Sequence, residues 1–518
     1  MKSTEDLRFY CHNTRRMGDR MGMKKAIFLL ALSSILAMAG ANVAQAEIQL
    51  TDWLSLTGNV RYELGVHTGS RNPYNTEQTE NNDFNFSREF FQTELTAKPT
   101  DNFKVFAKIR LMADQTDQWD DALHDYDAFP IDVPENDWTM MKVSNDESRA
   151  EVWELYADLT CDKLWLRAGR QQIVWGEMIS TRILDIINPI DMTRNFLFDP
   201  EEFENIRIPE WSIRGRYQFG IIGPLSDAMV EAFVIPGDVM PNQYADFGSP
   251  FYLGNGEESF PPFFRFNDQD RRGDVEWGAR VGGMLRDIYF TLNYMRLYNN
   301  DFLLQTTGVT PDPVHGVPLL FPPDFRRYAM LIDKEYPLTD VLGLTANYFI
   351  APFNTVVTFE GTWTPDQPYQ DAKAFAARSN DITDQGTGNY AIRLDRQTFV
   401  FPRPTSAMMI QFQFSQTVRE GDEDDILGPE NSEIDKTDEF ITLLLTQNFR
   451  HDTIQLSLLW VYDTDDASYL RPFVNYKYGD HWYFDLYTVY CSGSETRPGR
   501  FGGIDWVNET VGRITYQF

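Results

Sequence analysis

Five charged residues crowd one short stretch of the chain: Arg170, Glu177, Arg182, Asp185 and Asp191. Opposite charges at such spacing can do two things. They can pair with one another and with neighbouring walls, locking a loop in place, or they can stand open as a ligand-selecting eyelet. A second set is basic: Lys104, Lys108, Arg110, Arg167, Arg214 and Arg216. If these share one face they would form a basic wall that raises local anion occupancy. Catalytic chemistry has weaker support. A hydrolase wants a base beside a nucleophile or a pair of carboxylates. His67, His124 and His315 fall in expected outer loops, and His451 and His481 in expected turns, with no Ser-His pairing among them. His124-Asp125 could mimic a loop-borne dyad, so an outer-membrane hydrolase stands only as a third reading, and no catalytic residue is assigned. Cys-x-x-Cys-His is absent, so the chain does not attach c-type haem, and no cofactor is expected. Asp268-x-Asp270 with Gly273 is the nearest approach to a calcium loop, but Arg272 stands where a ligand should be, and no metal is expected.

The basic residues gain meaning from the elements that carry them. Leu54, Leu56, Gly58, Val60, Tyr62 and Leu64 alternate with Ser55, Thr57, Asn59, Arg61 and Glu63. Phe103, Val105, Ala107, Ile109 and Leu111 alternate with Lys104, Lys108 and Arg110. A period of two with charge on one face is a strand pattern, and its repetition along the chain is that of a membrane barrel. Similar segments fall near 86–98, 150–160, 163–175, 209–219, 227–236, 273–285, 287–298, 354–364, 389–400, 406–418, 437–449, 453–463, 468–478, 482–491 and 507–518. The stretch 325–350 is ambiguous because Pro337 could divide it. Single-chain bacterial barrels have an even strand number, which favours one strand at 332–349. The expectation is an all-β transmembrane antiparallel β-barrel of about 18 strands, with 16 the alternative count. Long extracellular loops would alternate with short periplasmic turns at Cys161-Asp162, Arg286-Asp287 and Gly479–His481. The closing strand would run to Phe518 beside the strand that begins near Trp53.

Alternation also assigns the lumen face. To the basic wall it adds Arg61, Glu63, Arg88, Glu94, Glu154, Asp158, Glu276, Arg280, Arg393, Asp395, Gln411 and Gln413. The interior is then either a polar channel or a salt-bridged, filled core. Residues 176–208 are too apolar for an exposed loop, with Ile183, Leu184, Ile186, Ile187 and then Phe196, Leu197 and Phe198. Such a loop should fold into the barrel mouth or pack on its rim. Ser180 or Thr181 could cap a short helix ending before Pro189.

Composition agrees with a barrel. The 518 residues are 42% hydrophobic and 14% aromatic, with mean hydropathy -0.41, as expected when only alternate residues face lipid. A net charge of -31 argues against nucleic acid as a partner. Its acid gathers in runs such as Asp114 to Asp137 and Glu420 to Asp435, read as solvated outer loops or as divalent-cation bridges to lipopolysaccharide. Lys24-Lys25, the apolar run Ala26–Ala39 and Ala44-Gln45-Ala46 form an export signal. The signal divides the chain into an N-terminal extension with a cleaved signal peptide over 1–46 and a barrel over 47–518 in the outer membrane of a Gram-negative cell. Translation would then start at Met21 or Met23. Cys161 and Cys491 would sit at opposite ends of the barrel, about 25 Å apart, too far for a disulfide.

The run Gly169-Arg170-Gln171-Gln172-Ile173-Val174-Trp175-Gly176-Glu177, followed by Arg182-Ile183-Leu184-Asp185-Ile186-Ile187-Asn188-Pro189-Ile190-Asp191, resembles the core motif of an uncharacterised proteobacterial outer-membrane barrel family, domain of unknown function 1302. Leu394-Asp395-Arg396-Gln397-Thr398-Phe399 resembles a later strand of the same family. The resemblance implies a large barrel, distantly similar to alginate-export-type barrels, and transfers no substrate or catalytic residue. The N-terminal extension and the acidic outer loops depart from it. The expected function is a channel, porin-like, for a small or hydrophobic solute, set in outer-membrane lipid and lipopolysaccharide, with 176–208 as its constriction. The alternative is a barrel scaffold or sheath anchoring a periplasmic or surface protein partner.

Overall fold

The computed structural model describes residues 47–70, 84–116, 141–145, 148–194, 203–237, 239–245, 249–252, 264–267, 273–311, 317–318, 327–373, 381–400, 406–421, 423–427, 434–493 and 504–518. The export signal, most of the Asp114–Asp137 run, Phe196–Phe198, His124, His315 and Asp268-x-Asp270 lie outside these residues.

Eighteen antiparallel strands close into one barrel. They are β1 (Leu54–His67), β2 (Phe84–Thr100), β3 (Phe103–Asp114), β4 (Ser148–Cys161), β5 (Leu164–Gln171), β6 (Glu210–Ile222), β7 (Leu225–Ile235), β8 (Glu276–Leu285) and β9 (Ile288–Tyr298). There follow β10 (Leu338–Ile350), β11 (Thr355–Asp371), β12 (Ile382–Thr398), β13 (Met408–Arg419), β14 (Thr437–Phe449), β15 (Ile454–Asp463), β16 (Ala467–Tyr478), β17 (Trp482–Gly493) and β18 (Glu509–Gln517). Closure sets Val60 opposite Tyr516 and Glu63 opposite Arg513. Phe518 finishes the seam: its N–H donates to the Gly58 carbonyl and Gly58 N–H to its own, both at 2.9 Å. Position 58 must be glycine there, because a Cβ would fall 2.7 Å from the Phe518 ring.

The period of two explains why the sheet closes this way round. Ile213 is 62% exposed, Leu292 51% and Leu486 56%, all on the outer face. Glu231 and Lys108, on the inner face, are buried. Exposed leucine and isoleucine at this density are stable only against hydrocarbon, and closure leaves no backbone edge unpaired there. An aromatic collar marks one rim, with Trp482 packed on Tyr516 at 4.9 Å and Tyr476 on Phe484 at 6.1 Å. The same rim holds tight turns whose Asp162, Gly223, Arg286 and Gly479 adopt positive φ. The fold is therefore that of an outer-membrane barrel, with short turns at one end and long connections at the other.

Three expectations need correction. The stretch 325–350 holds two strands, Arg327–Glu335 and β10, yet the even count stands because only β10 joins the barrel. Arg327–Glu335 instead centres a small sheet with Phe264–Asn267, Leu303–Pro311 and Val317–Pro318, packed on Phe264, Leu304, Met330 and Ile332. Gln370 docks that sheet to the barrel, bonding the Leu304 N–H at 3.0 Å and carbonyl at 3.1 Å. Strand β5 stops at Gln171 rather than 175. The expected helix starting at Ser180 or Thr181 does not form. The described helix of this region is the single turn Phe203–Ile206.

Candidate functional site

The segment between β5 and β6 leaves the sheet after Gln171, two residues beyond Gly169, which holds a φ of 135°. A Cβ there would collide with the backbone of Leu155 and Tyr156. Arg170 then turns inward and is buried. It donates to the Val152 carbonyl at 2.8 Å, where β3 and β4 slip register, and to the Pro209 carbonyl at 3.1 Å. One guanidinium thus ties the wall to the far end of the segment. Gln172 reaches the carbonyls of Glu204 and Arg207 at 2.6 and 2.7 Å. Asn188 accepts from Ile173 N–H at 2.7 Å and donates to the Ile208 carbonyl at 2.8 Å, closing the neck.

From this neck the segment crosses the lumen. Trp175 Nε1 donates to Glu231 at 2.8 Å. Glu177 N–H donates to the Glu360 carboxylate, Arg393 donates to the Glu177 carbonyl, and Asn347 donates to the Glu177 carboxylate at 3.2 Å. Ile179 N–H donates to Gln413 at 3.0 Å. The Ser180 and Thr442 hydroxyls meet at 2.5 Å, and those of Thr181 and Ser415 at 2.9 Å. The would-be helix caps are thus spent on the wall, which is why no helix forms. Thr442 lies on β14, nine places from β5 in a ring of eighteen, so the segment reaches the diametrically opposite strand.

The return arm is held by packing and charge. Ile173, Trp175, Leu184 and Ile187 bury against Phe233, Ile235, Met295, Leu297 and Val341, all inward residues of β7, β9 and β10. Gly343 leaves room for Leu184, because a Cβ there would overlap the leucine. Asp185 bonds Arg207 at 2.6 Å and lies 3.6 Å from Arg182, which donates to the Asn188 carbonyl at 2.7 Å. Asp191 bonds Arg149 at 2.7 Å. Burial alone would raise the Asp191 carboxyl, but the Arg149 and Arg194 guanidiniums hold it well below the usual carboxylate range. The charged set from Arg170 to Asp191 is mutually paired or bonded to the wall.

The six basic residues all face inward but divide into two groups. Lys108 and Arg110 lie under the helical turn: Lys108 bonds Glu204 at 2.7 Å, and Arg110 bonds Glu151 at 2.6 Å and the Asn205 carbonyl at 2.7 Å. Both are buried, so neither is an open lumen charge. Nearer the short-turn rim, Lys104 and Arg167 share Asp158 at 3.1 and 2.6 Å, and Arg214 and Arg280 share Glu231 at 2.7 and 3.2 Å. Arg216 is exposed, and its guanidinium lies 5.5 Å from the Trp165 ring.

Sequence reasoning missed a second inward segment. Ala245 and Phe251, from the connection after β7, bury among Phe86, Tyr469, Tyr487 and Val511 inside the barrel. Gln243-Tyr244 pairs in parallel with Asp191-Met192, so the second segment rests on the first. The apolar pair Phe251-Tyr252 in a polar connection was the available signal. Cys161 is exposed at a short turn and Cys491 is buried, and both are free thiols. His67 bonds the Trp506 carbonyl at 2.9 Å.

Among solved structures, OccAB3 of Acinetobacter baumannii shares 10% identity, with 90% of this chain and 99% of that chain covered and a TM-score of 0.47. OmpF of Salmonella typhi, in complex with daunomycin, shares 10%, with 91% and 100% covered and a TM-score of 0.39. A search for relatives among curated proteins found no match. A family model described as protein of unknown function (DUF1302) matches residues 25–464, including the whole lumen-crossing segment, and the chain belongs to that family.

Proposed function

We propose that the protein is an outer-membrane channel for a small or hydrophobic solute, without enzymatic activity, and that the segment between β5 and β6 is its constriction. The observation that supports this reading most is the span from Arg170 on one wall to the Ser180–Thr442 contact on the opposite one. A peptide strung across the lumen leaves only the space beside it for a solute. Its neighbours there differ: hydroxyls and amides on β13 and β14, apolar side chains on β7, β9 and β10. Outer-membrane lipid surrounds the apolar belt, and lipopolysaccharide meets the long connections. Planar-bilayer recording tests the reading: discrete current steps are expected from the purified barrel, and their absence at any solute or voltage would end it.

A scaffold that anchors a periplasmic or surface protein is the second reading. The small sheet favours it, because its strands lie outside the barrel ring and add a surface that a channel does not use. Co-purification of a stoichiometric protein, together with silent bilayers, would select this reading over the channel.

A further inference from the structure

The lumen wall between the constriction and the short-turn rim has a composition that the constriction does not use. Two aromatic rings, Tyr156 on β4 and Trp165 on β5, are set among cations. The Arg167 guanidinium lies 3.7 Å from the Tyr156 ring centre, and Lys104 Nζ lies 5.5 Å from it. Around Trp165 stand three guanidiniums, Arg167 at 5.2 Å, Arg214 at 5.4 Å and Arg216 at 5.5 Å. All sit on the inward face, since Trp165 is opposite Arg216, Arg167 opposite Arg214, and Arg216 opposite Glu231.

Charge on this wall is unbalanced. Asp158 is shared by Lys104 and Arg167, and Glu231 by Arg214 and Arg280, so two carboxylates face four paired cations. Arg216 adds a fifth cation with no carboxylate partner among the described residues. The next carboxylates, Glu94 and Glu154, stand one level nearer the constriction, opposite Lys108. Asp114, where the acidic outer run begins, is at the far end of β3 from Lys104. Ten residues of strand put roughly 34 Å between them. That distance is several Debye lengths, about 10 Å each at 0.1 M salt, so Asp114 does not cancel this surplus.

We propose that this wall is a binding site for aromatic carboxylates. The proposal rests on the channel reading for the path that brings a solute to it. The exposed Arg216 guanidinium offers two parallel N–H donors to a carboxylate, and the neighbouring Trp165 indole offers a ring surface, the Tyr156 ring being buried against Phe106. An aliphatic carboxylate would use only the first feature and a neutral aromatic only the second. Neither alone compensates for leaving the other desolvated, so the site selects for both in one molecule.

Equilibrium titration of the full-length protein in detergent micelles, at about 0.1 M salt, tests this independently of transport. The probes are benzoate, acetate and benzamide. Benzoate should bind saturably, and acetate and benzamide each about tenfold more weakly or worse. Arg216→Gln should weaken benzoate about tenfold while leaving benzamide unchanged, and Arg216→Lys should restore part of the loss. Trp165→Leu should bring benzoate down to the level of acetate. Heat-modifiable migration on gels reports whether each variant is folded. Benzoate binding no better than acetate, or unaltered by Arg216→Gln in a folded barrel, would overturn the proposal. Preferential binding with silent bilayers would sink the channel reading alone; conductance without preferential binding would sink this proposal alone.

Discussion

Leu184→Ala isolates the hold that the barrel interior has on the crossing segment. Leu184 has no exposed surface and packs against Trp175, Ile187, Phe233, Met295 and Val341, with Gly343 beneath it. Truncating a leucine in such a site costs about 2–5 kcal/mol. The strand ladder is untouched, so the loss falls on the lodged state of the segment rather than on the barrel. At about 3 kcal/mol the ratio of lodged to released segment falls by roughly 150-fold. Two readouts follow. Arg182, whose side chain is 14% exposed, should become a trypsin site in the micelle-bound protein. Single-channel records should spend correspondingly more time at a larger step. Gly343→Ala supplies a control, because its methyl group would fill the space that Leu184→Ala vacates. The double variant should recover part of both losses, a coupling expected only of residues in contact. Wild-type resistance at Arg182 and unchanged records in Leu184→Ala would refute the lodged-segment argument.

Other outcomes follow from the same contacts. Arg110→Ala leaves Glu151 buried beside a missing partner and should cost about 3–5 kcal/mol in thermal unfolding, whereas Lys104→Gln should cost well under 1 kcal/mol. Neutralising Lys104 and Arg216 together should move the reversal potential in a salt gradient toward cation preference, and an unchanged potential would remove the basic wall. The Asp191 carboxyl is held below its ordinary value of 3.8, so its contribution is complete above that pH and lost as the pH falls through the depressed value. Trypsin resistance at Arg182 should therefore be flat from pH 8 to pH 5, and Asp191→Asn should lower it throughout that range. Maleimide should label Cys161 in the folded barrel and reach Cys491 only after unfolding, in keeping with their exposed and buried positions.

The barrel was legible because each strand states its own orientation. Ile213 and Arg214, or Leu292 and Asn293, assign the two faces with no knowledge of neighbours, and evenness of the ring then decides between one strand and two before β11. The inward segment was legible from Ile183, Leu184, Ile186 and Ile187, which have too much apolar surface for water. What each inward residue meets could not be read, because that depends on which connection folds over it. Lys108 and Arg110 look identical to Lys104 in the alternation, yet the turn at Phe203–Ile206 covers the first two and leaves the third. Ser180 and Thr181 carry a capping signal that is purely local, and long-range partners at Thr442 and Ser415 override it. The small sheet escaped notice for a related reason: Arg327–Glu335 alternates like a barrel strand, and only tertiary pairing shows that it leaves the ring.

The most direct measurement is planar-bilayer conductance of the intact protein against a variant in which 177–187 is replaced by a short Gly-Ser linker. A channel constricted by this segment predicts discrete steps from the first and larger steps from the second, with both proteins folded by heat-modifiable migration. Silence from both, or steps of equal size, would contradict it.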